Sequence, residues 1–508
     1  MTRKTLRYYG IAFFSGSAVL IIETMGVRIL APYLGAAYVV WVNIVGVILA
    51  SLAVGYWVGG RAADRTKKLL SPMFFLAAVA VSLIPLERRA LPALGESFGI
   101  RYGSLLASLL LFAPASTLLG MATPYLVKLA TDDPERVGES SGSVFAASTI
   151  GSIVATFATG FFLIPRFSTT QIIWGVVAML LALALAALPR LTVGKASLAL
   201  LPIAGLAAGQ WASAGGGTII YEKDSQYYNI RILRRAVFGM PAHLMLLDGS
   251  AQGAKLFSGS PNGDSLEGQP GYLLFPYVRL SAQLIDALKP APDRLLAIGG
   301  GAYSIPEYVK VRYPASEVTV AEIDPAVTDA ARRFFMGRAA SQIRTLQADG
   351  RVVLNQAAGA KYDLVYTDAY NGAYSVPWHL ASREALTEMR DAMRDDGVLI
   401  VNIASGLDGE TSAFFRSFWK TSEGLFPQMA ILATKKDDPS ATQNVIVVAT
   451  RSFRPDFEER LGAFERYRYR QPVAVADVPV LTDVYAPTDS LIEPLVLAYY
   501  RYLREYME

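Results

Sequence analysis

Two hydropathy regimes divide the chain of 508 residues. Residues 8–213 hold most of the long apolar runs, whereas residues 218–508 alternate apolar and polar positions as a water-soluble domain does. An apolar run of about 20 residues is long enough to cross a bilayer as a helix. The pattern therefore predicts a transmembrane helical domain over 1–213 and an α/β domain over 218–508.

About seven apolar runs in the first half are long enough to be spans. The last of them is the weakest because Gly, Gln and Pro interrupt it. In the fifth, small residues of the kind that let helices approach closely occur at Gly151, Ser152, Ala155 and Gly160. The predicted spans are 8–29, 37–60, 69–86, 103–129, 141–164, 168–189 and 195–213.

Polar residues in this half allow two interpretations each. Glu23 lies inside the first apolar run, where a carboxylate is costly. It is either a group that handles protons or substrate, or a buried structural partner of Arg28. The stretch from Gly55 to Lys68 resembles the basic loop after the second helix of major facilitator transporters, and a positive-inside loop explains it as well.

Lys and Arg concentrate in alternate loops between the predicted spans. The positive-inside rule then places the N-terminus in the cytoplasm. Seven spans would put the C-terminal domain outside the membrane, whereas six or eight would put it inside. We expect a multi-pass integral membrane protein of a bacterial-type inner membrane, with the side of the soluble domain left open by the count.

Composition excludes several classes of function. The net charge is +4, and no basic block is long enough to indicate nucleic-acid binding. Cys is absent from the sequence, which excludes disulfides and thiolate catalysis. The two histidines, His243 and His379, are far apart in sequence, which argues against a metal site.

The second half predicts a small β element followed by alternating strands and helices. Short strands are predicted within 218–235 and 243–257. Later strands are predicted at 294–299, 317–322, 343–347, 362–367, 397–403 and 443–450, and helices near 304–312, 325–336, 350–357, 382–394 and 411–424. This order predicts a Rossmann-like, doubly wound, mostly parallel sheet.

Chemistry-bearing residues follow four consecutive predicted strands. The glycines 299–301 follow the first strand, Glu322 the second, Asp349 the third and Asp368 the fourth. Ligands of such sheets bind at the carboxyl ends of the strands. Glycines let a ligand approach the backbone, Glu322 is placed to bind a ribose diol, and Asp349 can accept from an adenine amino group.

The sequence lacks a Walker lysine and the third glycine of a dinucleotide loop. The pattern therefore favours a nucleoside pocket of the S-adenosylmethionine type over one for NAD or ATP. For Glu322 and Asp349 the alternative is a helix cap or a solvated strand end.

Six short motifs carry a resemblance to a known family. "SQYYNI" from Ser225, "LDGSAQ" from Leu247, "GGGAYS" from Gly299, "EID", "ADG" and "TDAYNG" resemble the motifs of the spermidine synthase (polyamine aminopropyltransferase) family over about 218–450. The multi-span front half and "SVPWHLASRE" from Ser375 resemble the membrane-fused branch of that family, whose front half is transporter-like.

The resemblance implies a donor site for decarboxylated S-adenosylmethionine and no metal. Asp368 would orient or deprotonate an amine such as putrescine or spermidine, and methylthioadenosine would be released. Family members are commonly homodimers. The implied donor-binding residues are Leu247, Gln252, Gly299, Gly301, Glu322, Asp349 and Gly350, and the implied acceptor-side residues are Tyr228, Tyr272, Tyr370 and His379. The alternative for His379 is a loop histidine that packs beside Trp378.

Several positions depart from the family pattern. Ala302 replaces the Asp that contacts the ammonium of the donor, and Asn371 replaces a second Asp. A cationic acceptor needs carboxylates to offset its desolvation. Candidates to supply them are Asp224, Asp248 and Glu384.

Three functions follow as hypotheses. The first is a membrane-anchored aminopropyltransferase, and the second is a methyltransferase-like enzyme that uses intact S-adenosylmethionine. The third is a transporter or sensor that binds a polyamine or nucleoside without turnover. Because the donor is made in the cytoplasm, the first function favours a cytoplasmic soluble domain, and the seven-span count favours a periplasmic one.

Overall fold

The computed structural model describes residues 3–34, 38–66, 68–87, 91–131, 133–188, 218–256, 273–337, 341–357, 362–370 and 376–507. The chain forms two compact units. The first comprises residues 1–215 with 224–226, and the second comprises 216–223 with 227–508. The division falls close to the change in hydropathy along the sequence.

The first unit is helical. Of the helices described, four are long and apolar enough to cross a membrane, and a pair bent by 51° would make a fifth. The predicted span 195–213 lies outside the described residues. The helices are Arg3–Leu34, Tyr38–Arg65, Leu70–Glu87, Leu91–Leu111, Ala113–Ala130, Val137–Ala158 and Thr169–Ala186, and Val137–Ala158 continues through a π-helical segment, Thr159–Leu163, and a short turn, Ile164–Arg166.

The predicted fourth span is not one straight helix. It is broken at Phe112, between the helices Leu91–Leu111 and Ala113–Ala130. Pro114 stands in the first turn of the second helix. A proline cannot donate to the carbonyl four residues earlier and collides with it, so the chain bends there.

Small residues let two of these helices approach closely. A Cβ on Gly151 would lie 2.0 Å from the carbonyl oxygen of Phe13, and the Ser152 hydroxyl donates to the carbonyl of Gly16 at 3.1 Å. The helices Arg3–Leu34 and Val137–Ala158 therefore pack through their backbones, as the small residues predict. Gly160 differs, because a Cβ there would meet nothing within 4 Å.

The second unit begins with the predicted β element. It is a four-stranded sheet in the order β1-β2-β3-β4, in which β3 pairs antiparallel with β2 and with β4. The β3–β4 turn, at Asp248 and Gly249, takes positive φ at both residues, which favours Gly and Asp there. The strands are β1 Thr218–Asp224, β2 Asn229–Val237, β3 Met240–Leu247 and β4 Ser250–Leu256.

A larger sheet follows, with eight described strands in the order β12-β10-β11-β9-β8-β5-β6-β7. The strands β7, β6, β5, β8 and β9 run parallel. Beyond β9 each strand is antiparallel to its neighbour: β11 to β9, β10 to β11 and β12 to β10. The sheet is thus mixed rather than mostly parallel throughout. The strands are β5 Arg294–Ile298, β6 Glu317–Ala321, β7 Arg344–Leu346, β8 Tyr362–Thr367, β9 Met393–Ser405, β10 Gln428–Ala433, β11 Gln443–Thr450 and β12 Arg468–Tyr469.

Helices cover both faces of this sheet. Successive residues of β5 point to opposite faces, so Leu295 joins one apolar cluster and Leu296 the other. The helices are Pro276–Leu288, Ser304–Arg312, Pro325–Phe334, Gly350–Gln356, Trp378–Ala381, Arg383–Ala392, Ala413–Ser422, Phe457–Leu461 and Thr488–Met507.

A helix and a strand are among the elements of this unit that the sequence pattern missed. Pro276–Leu288 is an amphipathic helix with proline in its first turn, and β10 is a buried strand between two antiparallel neighbours. The helix predicted at 382–394 ends at Ala392, because Met393 is extended and begins β9.

Candidate active site

A glycine loop follows β5 at the carboxyl edge of the sheet. Gly299 and Gly301 take φ values of +91° and +49°. A Cβ on Gly299 would lie 2.4 Å from the backbone oxygen of Asp368, which follows the neighbouring strand β8. Glycine is therefore required at 299 both by the backbone conformation and by the close approach of the next strand end.

Glu322 holds this loop in place. Its Oε2 accepts from the backbone N–H of Gly300 at 2.8 Å and of Gly301 at 3.4 Å, and its Oε1 accepts from that of Asp324 at 2.9 Å. The side chain is 6% exposed, and burial raises its pKa against these three hydrogen bonds. A ribose diol that binds Glu322 would have to share carboxylate oxygens that already accept these backbone hydrogen bonds.

Tyr303 ends the loop in a conformation that side chains rarely adopt. It has φ +57° and immediately precedes the helix Ser304–Arg312. The ring is fully buried, and its hydroxyl lies 2.8 Å from Thr328 Oγ1 and 3.2 Å from Thr345 Oγ1. Burial raises the pKa of Tyr303 to about 12. The anchored ring holds the left-handed turn in place, a role that the sequence reasoning missed.

Asp349 and His379 form a pair that two strands, β5 and β6, separate from Asp368. Asp349 Oδ2 lies 2.9 Å from His379 Nε2, and Oδ1 accepts from the backbone N–H of Arg351 at 2.8 Å. The hydrogen bond from His379 is the main cause that lowers the pKa of Asp349. His379, expected on the acceptor side, thus lies beside the residue expected to bind adenine.

Two further contacts explain the position of His379. Its ring meets Trp378 edge to face at 5.5 Å between centroids, as the alternative interpretation had it. Arg351 donates to the His379 carbonyl at 2.8 Å and binds Glu388 at 2.6 Å and Asp483 at 2.9 Å. This ion-paired arginine fixes the short helix Trp378–Ala381, and sequence spacing carries no signal of it.

Asp368 lies at the end of β8 in a different environment. Its Oδ1 accepts from Asn402 Nδ2 at 2.8 Å, and its Oδ2 accepts from the Tyr366 hydroxyl at 3.2 Å. The Tyr277 hydroxyl also hydrogen-bonds to it. Burial raises the pKa of Asp368 to about 6, although these three donors lower it. A carboxylate of that pKa can accept a proton near neutral pH.

A cleft of about 680 Å³ opens beside Asp368. Residues from several separate segments of the chain line it, among them Gln252 of β4, Tyr370 and Asn402. The Tyr228 hydroxyl donates to the Tyr370 carbonyl at 3.2 Å and so supports one wall. Leu247 is buried in the core cluster that also contains Ala302, and Tyr272 lies outside the described residues.

The proposed compensating carboxylates are not in this cleft. Asp248 accepts from the backbone N–H of Asn229 at 2.9 Å, and Glu384 accepts from that of Asp483 at 3.0 Å. Asp224 accepts from the backbone N–H of Thr169 at 2.6 Å. None of the three is among the described residues that line the cleft.

Position 302 carries a methyl group where the family motif has a carboxylate. Ala302 is 3% exposed, and a Cβ built on Gly253 of β4 would lie 2.3 Å from its Cβ. Gly350, which was assigned to the donor site, is also tightly packed, because a Cβ there would lie 2.5 Å from Ile298 Cγ2. Across the described residues, no group of three or more His, Cys, Asp or Glu could hold a metal ion.

Comparison with known proteins relates part of the chain to a family. Residues 275–448 match the family model described as the spermine/spermidine synthase domain. These residues are therefore similar to spermine/spermidine synthase domains. The expected resemblance of the C-terminal half to this family is thereby confirmed, and the matched range includes the glycine loop, Glu322, Asp349 and Asp368. We call the second compact unit, which holds this match, the synthase domain.

Relatives of the synthase domain include two kinds of transferase. A polyamine aminopropyltransferase of Vibrio vulnificus is 34% identical over 210 residues, which is 40% of this chain and 66% of that protein. A putrescine N-methyltransferase of Nicotiana tabacum is 25% identical over 192 residues, or 37% of this chain and 46% of that one. The chain thus spans slightly less than two thirds of the first relative and less than half of the second.

A solved structure is also similar to the synthase domain. A probable spermidine synthase from Corynebacterium glutamicum matches with 18% identity and a TM-score of 0.43, covering 53% of this chain and 97% of that one.

Proposed function

We propose that the chain is a membrane-anchored polyamine aminopropyltransferase. In this proposal it moves the aminopropyl group of decarboxylated S-adenosylmethionine to an amine such as putrescine or spermidine. The observation that carries it is Asp368, a carboxylate with a pKa of about 6 that faces a cleft of about 680 Å³ directly beside the glycine loop.

The donor would lie along the carboxyl edge of β5, β6 and β7. The glycine loop permits close approach, Glu322 offers its oxygens to the ribose, and Asp349 accepts from the adenine amino group. His379 would keep Asp349 ionised and oriented through its 2.9 Å contact. Leu247, Gln252 and Gly350 would support this site, as the family resemblance implies.

Asp368 would prepare the acceptor for attack. An amine attacks only when it is unprotonated, and Asp368 can take its proton. The nitrogen then forms a bond to the carbon next to the sulfonium, the C–S bond breaks, and its electron pair stays on sulfur. The products are methylthioadenosine and the aminopropylated amine. Since the sulfonium is a good leaving group, positioning supplies much of the acceleration.

Product analysis tests this proposal. The purified protein in detergent is incubated with each donor and with putrescine or spermidine. Release of methylthioadenosine that depends on the amine is the expected result. Binding of donor and amine with neither methylthioadenosine nor adenosylhomocysteine released would overturn it and favour the transporter or sensor hypothesis.

An N-methyltransferase is a second candidate because of one specific observation. Ala302 and Gly253 present no carboxylate to a donor ammonium, and Ala302 is buried. A plant relative is named putrescine N-methyltransferase. By analogy, this chain would act on the same kind of acceptor with intact S-adenosylmethionine as its donor. Adenosylhomocysteine as the main product, in the same assay, would support this candidate over the first.

Membrane insertion of the first unit is part of the proposal. Only 17% of the apolar window in Pro134–Arg166 is buried within the chain, and Phe161 and Trp57 are 74% and 64% exposed. Such apolar surface is costly in water and suits a lipid contact. We place the protein in a bacterial-type inner membrane with a cytoplasmic synthase domain.

Fractionation and a reporter test this placement. The protein should stay in the membrane pellet after carbonate extraction, and its release into the supernatant would contradict insertion. A reporter that is active only in the periplasm, fused after residue 508, should be silent. An active reporter would show that the synthase domain lies on the periplasmic side of the membrane. The expected homodimer would be measured by light scattering in detergent.

A further inference from the structure

The acceptor cleft of the synthase domain carries one charge of each sign among its described residues. Asp368 provides the carboxylate, and Lys435 provides an ammonium. Uncharged side chains line the rest of the described surface, among them Asn402, Asn444 and Phe275. A charge pattern of this kind is suited to a ligand with a cationic and an anionic end.

The two charges lie along the edge of the sheet. Asp368 follows β8 and Lys435 follows β10, and β9 and β11 lie between these strands. Three strand spacings amount to about 14 Å between the backbones. The long, flexible side chain of Lys435 lines the same cleft as Asp368, and when extended toward it would shorten that gap to the length of a small bifunctional molecule.

A row of side-chain amides connects the two ends. Asn402 Nδ2 donates to Asp368 at 2.8 Å, and Asn444 Nδ2 donates to Asn402 Oδ1 at 3.1 Å. Gln443 Oε1 accepts from the backbone N–H of Lys435 at 2.5 Å. This row supplies hydrogen bonds but no negative charge beyond Asp368.

A diamine such as putrescine fits this pattern poorly. Its attacking nitrogen could use Asp368, but its second ammonium would lie near Lys435 and meet no further carboxylate among the described residues that line the cleft. Removing an unpaired charge from water is strongly unfavourable in a protein. A carboxylate at that end would instead be attracted by Lys435.

The side chain of Lys435 is available for this role. It is exposed at the rim of the cleft, and within the described part of the chain its Nζ has no hydrogen-bond or ion-pair partner. The neighbouring Lys436 differs, because its Nζ pairs with Asp437 at 2.9 Å and it does not line the cleft. The chain therefore offers a matched control one residue away.

We infer that the preferred acceptor is an ω-amino acid, whose amine attacks at Asp368 while its carboxylate binds Lys435. This inference rests on the proposed aminopropyl transfer and specifies its substrate class. The balance is that of the proposed reaction: the amine loses a proton to Asp368, the N–C bond forms, the C–S bond breaks, and methylthioadenosine leaves. The product is an N-(3-aminopropyl) amino acid.

Three amines of equal carbon number test the inference. Methylthioadenosine release from the full-length protein is measured with 4-aminobutanoate, butylamine and putrescine. We expect kcat/KM to fall in that order, by about tenfold between the first and the last. Lys435→Glu should reverse the preference toward putrescine, and Lys436→Glu should leave it unchanged. Preference of the unsubstituted protein for putrescine, or an unchanged ratio in Lys435→Glu, would overturn the inference.

Binding separates this inference from the proposed function. Calorimetry with the protein saturated in methylthioadenosine measures the affinity for 4-aminobutanoate and for putrescine without any turnover. Tighter binding of 4-aminobutanoate that is lost in Lys435→Glu supports the inference even if no amine is turned over, in which case the transferase proposal alone fails. Turnover of putrescine with tighter putrescine binding sustains the proposal and overturns the inference.

Discussion

Gly253 of β4 lies directly against Ala302 of the glycine loop, so that a Cβ at 253 would stand 2.3 Å from the Cβ of Ala302. The contact joins the small β sheet to the glycine loop at the carboxyl edge of the large sheet. Both positions need small residues, because any added atom at one must be removed from the other.

A double substitution tests this contact. Gly253→Ala should lower the melting temperature and weaken nucleoside binding, since overpacking typically costs about 1–3 kcal/mol. Ala302→Gly removes the opposing Cβ and should restore most of the loss in the double variant. Gly462→Ala is the control, because a Cβ there meets nothing within 4 Å. A double variant that loses the sum of both single effects would show that the residues are not coupled.

Asp368→Asn tests the proton acceptor. Asparagine keeps the size of the side chain and can still accept the hydrogen bond from Asn402, but it cannot take a proton from the amine. We expect kcat for methylthioadenosine release to fall by about 10²–10⁴-fold. Donor affinity, measured by calorimetry, should change little. Asp437→Asn, a surface control, should keep full activity, and full activity in Asp368→Asn would exclude its catalytic role.

The pH profile reports the environment of Asp368. Burial raises its pKa to about 6, so the ionised base is lost as the pH falls below that value. The acid limb of kcat/KM should therefore lie near pH 6 and fall about tenfold per pH unit. The hydrogen bond from Asn402 is the main influence that lowers this pKa.

Asn402→Ala should move that limb. Without the amide donor the charged form loses stabilisation, so the pKa of Asp368 should rise and the limb should shift to higher pH by about one unit. Asn444→Ala removes a donor to Asn402 rather than to Asp368 and should shift the limb less. An unchanged limb in Asn402→Ala would mean that another group controls the profile.

Sequence reasoning placed four strand ends well because parallel strands obey a simple rule. The carboxyl ends of β5, β6, β7 and β8 meet at one edge, so the glycine loop, Glu322, Asp349 and Asp368 come to that edge together. The roles assigned to these residues stay predictions. The rule does not say which donors each carboxylate finds: Oε2 of Glu322 accepts from the backbone of the glycine loop and Oε1 from that of Asp324.

The residues that the sequence did not reveal depend on strand order. Asn402 and Asn444 meet beside Asp368 because β11 pairs with β9 in antiparallel fashion, and no local pattern encodes that pairing. His379 is similar: it reaches Asp349 across 30 residues because Arg351 holds its short helix. The break at Phe112 was predictable in principle from Pro114, but the continuous apolar run concealed it.

His379→Gln tests the pair with Asp349. The hydrogen bond from His379 keeps the pKa of Asp349 low, so its loss should raise that pKa and leave the carboxylate less firmly oriented. If Asp349 binds adenine, affinity for methylthioadenosine should fall by about three- to tenfold, about 1 kcal/mol for one hydrogen bond. His243→Gln, on β3, is the control and should bind normally. Normal binding in both variants would separate Asp349 from the nucleoside.

Asp368 should also lower stability at neutral pH. Its pKa is about 6 in the fold and near 3.8 when the chain is unfolded, so the native state binds more protons between these values. Stability is then full below pH 4, falls as the pH rises to 6 and stays lower above it. Asp368→Asn should raise the melting temperature at pH 7.5, by the equivalent of at most about 3 kcal/mol, and have little effect at pH 4.

Asp396→Asn provides a control of opposite sign. The hydrogen bond from Lys289 lowers the pKa of Asp396, so this carboxylate adds stability at neutral pH and loses it as the pH falls. Its replacement should lower the melting temperature at pH 7.5 and matter less in acid. If Asp368→Asn and Asp396→Asn both lowered the melting temperature at pH 7.5, burial of the Asp368 charge would not be the destabilising feature that its environment indicates.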